Sequence, residues 1–310
     1  MAKPRNDWVD RLQYLAMRLA AMAMQTWPVE LCLAGARLVG WILYRVDRRH
    51  RERAIGNLTR SFPEKSPGEI SLIALESMQH MCMLAVEVIF TPRLIRLETI
   101  TRHIELENFN DALRLLMLRD HGLLLLTGHY GNWEVLGYAL ATLGFQTTSI
   151  ARPLDNRHIN DWLLGVRERR GQRILSKHGA VDEVTRLLNN RDAVGFIADQ
   201  NAGPKGLFVD FFGRKASTYK SIGLLALRFN VPVVIGYSRR VRGQPFRFRL
   251  GVQDIIHPRD WEPQPDPLRY VTQRYTTAIE NIVRADPAQY LWVHRRWKSR
   301  PKGEAPEAFD

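Results

Sequence analysis

Residues 123–134 read LLLLTGHYGNWE and place a histidine, His129, five positions before a glutamate, Glu134. Proton abstraction from a hydroxyl is the chemistry that wants this pair. An imidazole with the ordinary pKa of about 6.5 takes a proton near neutrality, and a neighbouring carboxylate fixes its tautomer and stabilises the imidazolium. No G-x-S-x-G elbow occurs, and Cys32 and Cys82 lie far from His129 in the chain, so no protein nucleophile for a covalent intermediate is evident. The substrate's own hydroxyl is then the expected nucleophile. The plainer reading is that His129 and Glu134 satisfy backbone groups at a helix start, but a histidine in a glycine-flanked strand-to-helix turn favours the chemical one.

The elements that must hold this pair follow from the same stretch. Four leucines, too few to span a membrane, form a buried strand ending at Thr127-Gly128. Gly128 and Gly131 permit the turn, Asn132 caps a helix beginning at Trp133, and Glu134 falls in that helix's first turn. In open α/β sheets ligands bind at this edge.

From residue 100 onward, short apolar strands are expected at 102–106, 122–127, 146–151, 193–198, 231–237 and 246–251. Helices near 108–119, 132–143, 156–170, 179–190, 217–229 and 268–285 separate most of them, which predicts an α/β fold with a largely parallel sheet flanked by helices. Arg152 closes one strand, where a guanidinium can hold a phosphate or a carbonyl oxygen or simply sit on the surface. Asp199 and Gln200 close another, where they can orient an acceptor hydroxyl or form a polar turn. With Asn132, and with Lys205 among the cations beyond that turn, they are the candidate substrate-binding residues. Phe208, Phe211 and Phe212 are candidates for an acyl channel, although aromatic residues at a strand end are more often plain core. His294 sits in a basic, aromatic C-terminal segment that suits a lipid interface, a solvated helix end or a docking face, and is not assigned catalysis.

The block GHYGNWE resembles the H-x-x-x-x-[DE] signature of the bacterial lipid A biosynthesis acyltransferases, the lauroyl and myristoyl transferase family related to glycerolipid acyltransferases. Further blocks resemble that family in order: RERAIGNLTRSFPE at 51–64, ARPLDN at 151–156, DQNAGPKGLFVDFFGRKAST at 199–218 and YLWVHRRWK at 290–298. The resemblance implies a glycerolipid acyltransferase-like fold and an O-acyltransferase with His129 as general base oriented by Glu134. It also implies a glycolipid acceptor such as a lipid A precursor, and an acyl thioester donor, acyl carrier protein or acyl-coenzyme A, as substrate in place of any cofactor or metal. Other readings stay open: a glycerophospholipid or other glycolipid acyltransferase using acyl-coenzyme A, or a basic membrane- or nucleic-acid-binding protein without activity.

The 310 residues carry a net charge of +13, which suits an anionic partner. Acyl carrier protein and a membrane surface both qualify, whereas no standard nucleic-acid motif occurs and no nucleic-acid partner is expected. Two free thiols suggest a reducing compartment.

Residues 1–99 are read as a helical, membrane-associating region, 100–300 as the acyltransferase domain and 301–310 as a loose tail. Two apolar helices are expected at 8–25 and 29–45. The longest uncharged run between them, from Leu19 to Val29, has eleven residues, short of the roughly 20 that a span requires. The segment therefore lies in an interface or packs on a soluble core; the resemblance favours the interface. The arginines from Arg45 to Arg53 would then hold the cytoplasmic face of the inner membrane, the protein being peripheral or monotopic. Ser66 and Glu69 form a capping box for a further helix running to about residue 88.

Overall fold

A computed structural model describes residues 6–176 and 179–304. Four helices come first: α1 (Asp7–Gln25), α2 (Val29–Val46), α3 (Arg48–Ser61) and α4 (Pro67–Leu94). The capping box at Ser66 forms as expected, with its hydroxyl accepting from the Glu69 amide and the Glu69 carboxylate accepting from the Ser66 amide. The helix it starts continues past residue 88 through Pro92 to Leu94.

The α/β part runs α5 (Ile100–His103), β1 (Ile104–Glu107), α6 (Asn110–Leu118), β2 (Leu123–Thr127), α7 (Trp133–Thr142), β3 (Thr147–Ala151), α8 (Arg157–Glu168), β4 (Arg173–Ser176), α9 (Ala180–Asn189) and β5 (Ala193–Ile197). It continues with β6 (Leu207–Phe211), β7 (Arg214–Thr218), α10 (Lys220–Phe229), β8 (Val233–Arg240), β9 (Phe248–Ile256), α11 (Pro258–Trp261) and α12 (Pro267–Ala285).

Seven strands form one sheet in the order β1-β9-β8-β2-β5-β3-β4. All neighbours are parallel except β8 and β9, so the largely parallel sheet expected from the alternation of strands and helices is present. The register of β2 on β5 pairs Leu125 with Gly195 and Thr127 with Ile197. The residues that follow Thr127 and Ile197 therefore emerge side by side at one edge of the sheet. β6 and β7 form a separate antiparallel hairpin, which the sequence pattern had divided between a loop and the start of a helix. Its turn places Phe212 and Gly213 at positive φ.

Two apolar cores lie on the layers around the sheet, and the N-terminal helices enter both. Ala54, Leu58 and Ile70 join the core of β2, β8 and α12, while Leu33, Ala36 and Phe90 join that of β1, β9 and α7. The helical region is thus fused to the α/β part by shared burial. α4 is, among the described residues, the one helix long and apolar enough to cross a membrane. It nevertheless packs against α2, α3 and α7, and it carries a fully buried carboxylate, Glu87. Of the expected tail, residues 305–310 lie outside the described residues.

Candidate active site

Four backbone hydrogen bonds and one from a side chain hold the turn after β2 in place. The His129 carbonyl accepts from Leu291, the Gly131 amide donates to Gln289, and the Asn132 amide donates to Ser238 at the end of β8. Gly131 has φ +56°, and a Cβ there would lie 1.8 Å from the Ser238 carbonyl oxygen, so only glycine fits. The Gly131 carbonyl accepts from His80 Nε2 at 2.9 Å, and the Ala198 amide donates to the Thr127 carbonyl at 2.8 Å.

Asn132 caps α7 through Val135, and its amide donates to Glu87 at 2.8 Å. Arg240 donates to Glu87 at 2.6 Å and to His80 Nδ1 at 2.6 Å. Because His80 Nε2 donates and Nδ1 accepts, this imidazole is neutral; burial and the Arg240 charge both push its pKa down. A buried polar network on α4 and β8 thus fixes the turn from behind. Asn132, expected to touch substrate, is fully buried with both ends of its side chain engaged, and belongs to this support.

The orienting carboxylate is where the structure departs from the sequence reading. His129 Nδ1 lies 2.7 Å from Asp199 Oδ1, and the His129 amide donates to Asp199 Oδ2 at 2.8 Å. Asp199, expected to orient an acceptor hydroxyl, is 2% exposed and faces the imidazole instead. Burial alone would raise its pKa, but the His129 imidazole and its two hydrogen bonds, with His294 beyond, outweigh that and hold the carboxyl well below the usual range. An ionised Asp199 at Nδ1 requires the proton there, which leaves Nε2 as the free basic atom. The Gln200 amide nitrogen stands 3.4 Å from that Nε2.

Glu134 does not reach His129. Its carboxylate accepts from Arg167 Nε at 2.7 Å and Nη2 at 2.5 Å, a bidentate pair across α7 and α8, and from Trp133 Nε1 at 3.1 Å. The physical reason is the helix: starting at Trp133, it carries the next side chain toward α8, away from the turn.

The other expected residues divide. Arg152 is largely exposed and pairs with Asp155 at 3.4 Å, not with the site. Lys205 is exposed on the turn beyond Asp199. Phe211 and Phe212 are core: Phe211 stacks on Trp297, and Phe212 packs edge-on against Phe62 and Trp292. Phe208 is half-buried on β6, and its carbonyl accepts from Arg269. An apolar slot beside the imidazole instead runs between α7 and the sheet, walled by Leu125, Trp133, Leu136, Leu140, Gly195 and Ile197, with a cavity of about 90 Å³. The Trp133 ring lies 4.9 Å from that of His129.

Arg296, buried in the C-terminal segment, donates to the carbonyls of Gln200 and Ser217 and to the Thr218 hydroxyl, and so anchors the loop that carries Asp199. Asn57 of α3 donates to the carbonyls of Trp292 and His294. Of the arginine run expected at a membrane, Arg53 is 7% exposed and donates to the Val293 carbonyl, because its place on α3 faces the C-terminal segment. Blocks far apart in the chain meet at one site: a base with a fixed tautomer, an open Nε2, an amide beside it and an apolar slot.

Residues 6–299 match the family model described as bacterial lipid A biosynthesis acyltransferase. The chain belongs to this family. Similar members include the lipid A biosynthesis palmitoleoyltransferase of Escherichia coli (strain K12), 25% identical over 285 residues, which cover 90% of this chain and 88% of that one. The lauroyltransferase of the same organism is 25% identical over 86% of this chain and 84% of its own length. Its myristoyltransferase is 24% identical over 84% and 79%. Membership of this acyltransferase family makes the chain an enzyme of acyl transfer, and the matched span takes in the helical region as well as the α/β part.

Proposed function

We propose that this chain moves a fatty acyl group from the thioester of acyl carrier protein to a hydroxyl of a lipid A precursor, at the cytoplasmic face of the inner membrane. One observation carries the chemistry. His129 is held by Asp199 in the tautomer that leaves Nε2 free, and this atom opens at the sheet edge where ligands bind. Nε2 takes the proton of the acceptor hydroxyl as its oxygen attacks the thioester carbonyl, and the same proton then goes to the departing thiolate. Asp199 stabilises the imidazolium between the two steps.

Transfer is direct. Among the described residues no hydroxyl or thiol hydrogen-bonds to Nε2, and the neighbours of this imidazole are Asp199, Gln200, Trp133 and His294. The acyl chain enters the slot behind Trp133. At about 90 Å³ the slot is smaller than the roughly 300 Å³ at which ligand pockets begin, so it must widen. α8, which adds Arg167 to its wall and has no fully buried residue, is the element whose outward shift would widen it. The +13 charge supports an acidic carrier protein as donor through electrostatic steering.

Mass spectrometry of lipids from cells with and without the protein tests the reading, with one acyl chain expected to disappear from one glycolipid. Intact-protein mass spectrometry after exposure to donor alone should show no acyl adduct. An unchanged glycolipid profile would remove the proposed acceptor class, and an adduct at catalytic occupancy would replace direct transfer by a covalent route.

A further inference from the structure

A second imidazole stands against the first. The ring of His294 lies 4.4 Å from that of His129, edge to face at 71°. Its backbone is pinned: the amide donates to the Leu291 carbonyl at 3.1 Å, and its own carbonyl accepts from Asn57 at 3.2 Å. Neither ring nitrogen has a hydrogen-bond partner among the described residues. The ring is half-buried, and neither nitrogen is among the buried polar atoms left without a partner, so a ring N–H here stays open to a ligand at the face where His129 stands.

The ring is also fixed in one charge state. Burial first, and then the charge of His129, push its pKa down to about 4, against a smaller upward pull from Asp199. His294 is therefore neutral near pH 7 and carries one N–H. A ring held neutral suits the donation of an N–H rather than the uptake of a second proton. A neutral imidazole held beside a reacting carbonyl is an established way to polarise that carbonyl.

Resting on the transfer reading above, we propose that His294 is a second substrate-touching residue whose ring N–H holds the thioester carbonyl oxygen as it gains charge, while His129 Nε2 receives the hydroxyl proton. The new C–O bond forms as the carbonyl π pair moves onto oxygen. That pair returns as the C–S bond breaks, and the thiolate leaves with the proton from His129.

The test compares His294→Phe, which keeps the ring packed on His129 but has no donor, with His294→Gln, which keeps an N–H and cannot accept a proton near neutrality. The substrates are lauroyl-acyl carrier protein and a hydroxyl-bearing lipid A precursor, with thermal unfolding as the control for folding. Loss of one oxyanion donor is typically worth about 10²- to 10³-fold in kcat. His294→Phe should lose that much with KM for both substrates within about threefold, and His294→Gln should recover at least about tenfold of it. Wild-type kcat in folded His294→Phe, a loss confined to KM, or equal loss in both variants would overturn the assignment. If the wild-type protein transfers acyl groups and His129→Ala does not, such a result removes the role of His294 alone; a wild-type protein inactive with these substrates removes the transfer reading itself.

Discussion

Asp199 stays ionised throughout the neutral range, because the imidazole and the backbone amide of His129 together outweigh the cost of its burial. Replacing it with asparagine leaves shape but removes the charge, and the amide can turn a donor toward Nδ1 and force the proton onto Nε2. Asp199→Asn should therefore lower kcat by about 10²- to 10⁴-fold with little change in KM. Glu134→Gln, which disturbs the pair with Arg167 and the contact with Trp133 but not the base, should cost less than about tenfold. Steady-state kinetics on the two variants decide the matter, and the reverse ranking would restore Glu134 as the orienting group. The sequence could show that both carboxylates end strands or begin helices. It could not show which one meets the imidazole, since that depends on β5 lying beside β2 in the register Thr127 to Ile197. His294 makes a second prediction at this scale. Its folded pKa of about 4 lies below the roughly 6.5 of an unfolded chain, so the unfolded state binds a proton first. The stability due to the neutral ring is complete above about pH 6.5 and falls as pH drops toward 4, by up to roughly 3 kcal/mol. Denaturant unfolding from pH 7 to 4 should be flatter for His294→Gln than for the wild type; identical slopes would show that the ring protonates freely in the folded protein.

At the scale of elements, the bidentate pair of Glu134 and Arg167 ties α8 to α7. α8 has no fully buried residue; besides this pair it packs Trp162 against the apolar core and touches β4 and α1, so the pair is a substantial part of what holds it. Both side chains are mostly buried, and removing one leaves the other without its partner, at a cost of about 2 kcal/mol. In Glu134→Ala, hydrogen exchange should quicken in residues 157–168 while β2 and β5 keep their protection. Uniform loss of protection would show that α8 is not a separate unit. The elements themselves were legible where a period was long and its ends were punctuated. α7, α9 and α12 begin and end within one residue of expectation, and the Ser66 capping box sits where its pattern requires. The β6–β7 hairpin was not, because its turn is Phe212-Gly213, a bulky residue at φ +52° where asparagine or aspartate is the usual signal. Its strands also carry Asp210, Arg214 and Lys215, which blur the alternation of apolar and polar positions. β4 was missed because four residues, Arg173–Ser176, at the sheet edge bury little.

At the scale of the whole molecule, the N-terminal helices present apolar surface that none of the described residues covers. Trp8 (74% exposed), Leu12, Leu15, Leu19 (63%) and Met22 recur at intervals of three and four, so they form one stripe along α1. Leu31, Leu38, Ile42 and Val46 (70%), spaced by seven, four and four, share one face of α2, with Trp27 at the turn between the helices. A contiguous patch of this kind marks an interaction surface, and Arg18, Arg37 and Arg45 on the same helices suit anionic head groups. Neither helix is apolar enough over 18 residues to count as a span, and the membrane attachment proposed above would lie in the plane of the interface. The opposite side of α1 is bound to the catalytic half: Asn156 donates to the Asp10 carbonyl, and Arg157 pairs with Asp7 at 2.8 Å. Through α8 the interface is thus linked to the wall of the slot that holds Glu134. Replacing Leu12, Leu15 and Leu19 together by serine leaves the buried side of α1 intact and removes about 1 kcal/mol or more of membrane affinity per side chain. Most of the triple variant should move from the membrane pellet to the supernatant, whereas the wild type should be only partly extracted by high salt, since its apolar contacts persist. Vesicles of anionic phospholipid should bind the wild type and release the variant. A folded triple variant that stays in the pellet would mean that another surface carries the attachment, and an N-terminus reached by protease only from the periplasm would show that the segment crosses the bilayer.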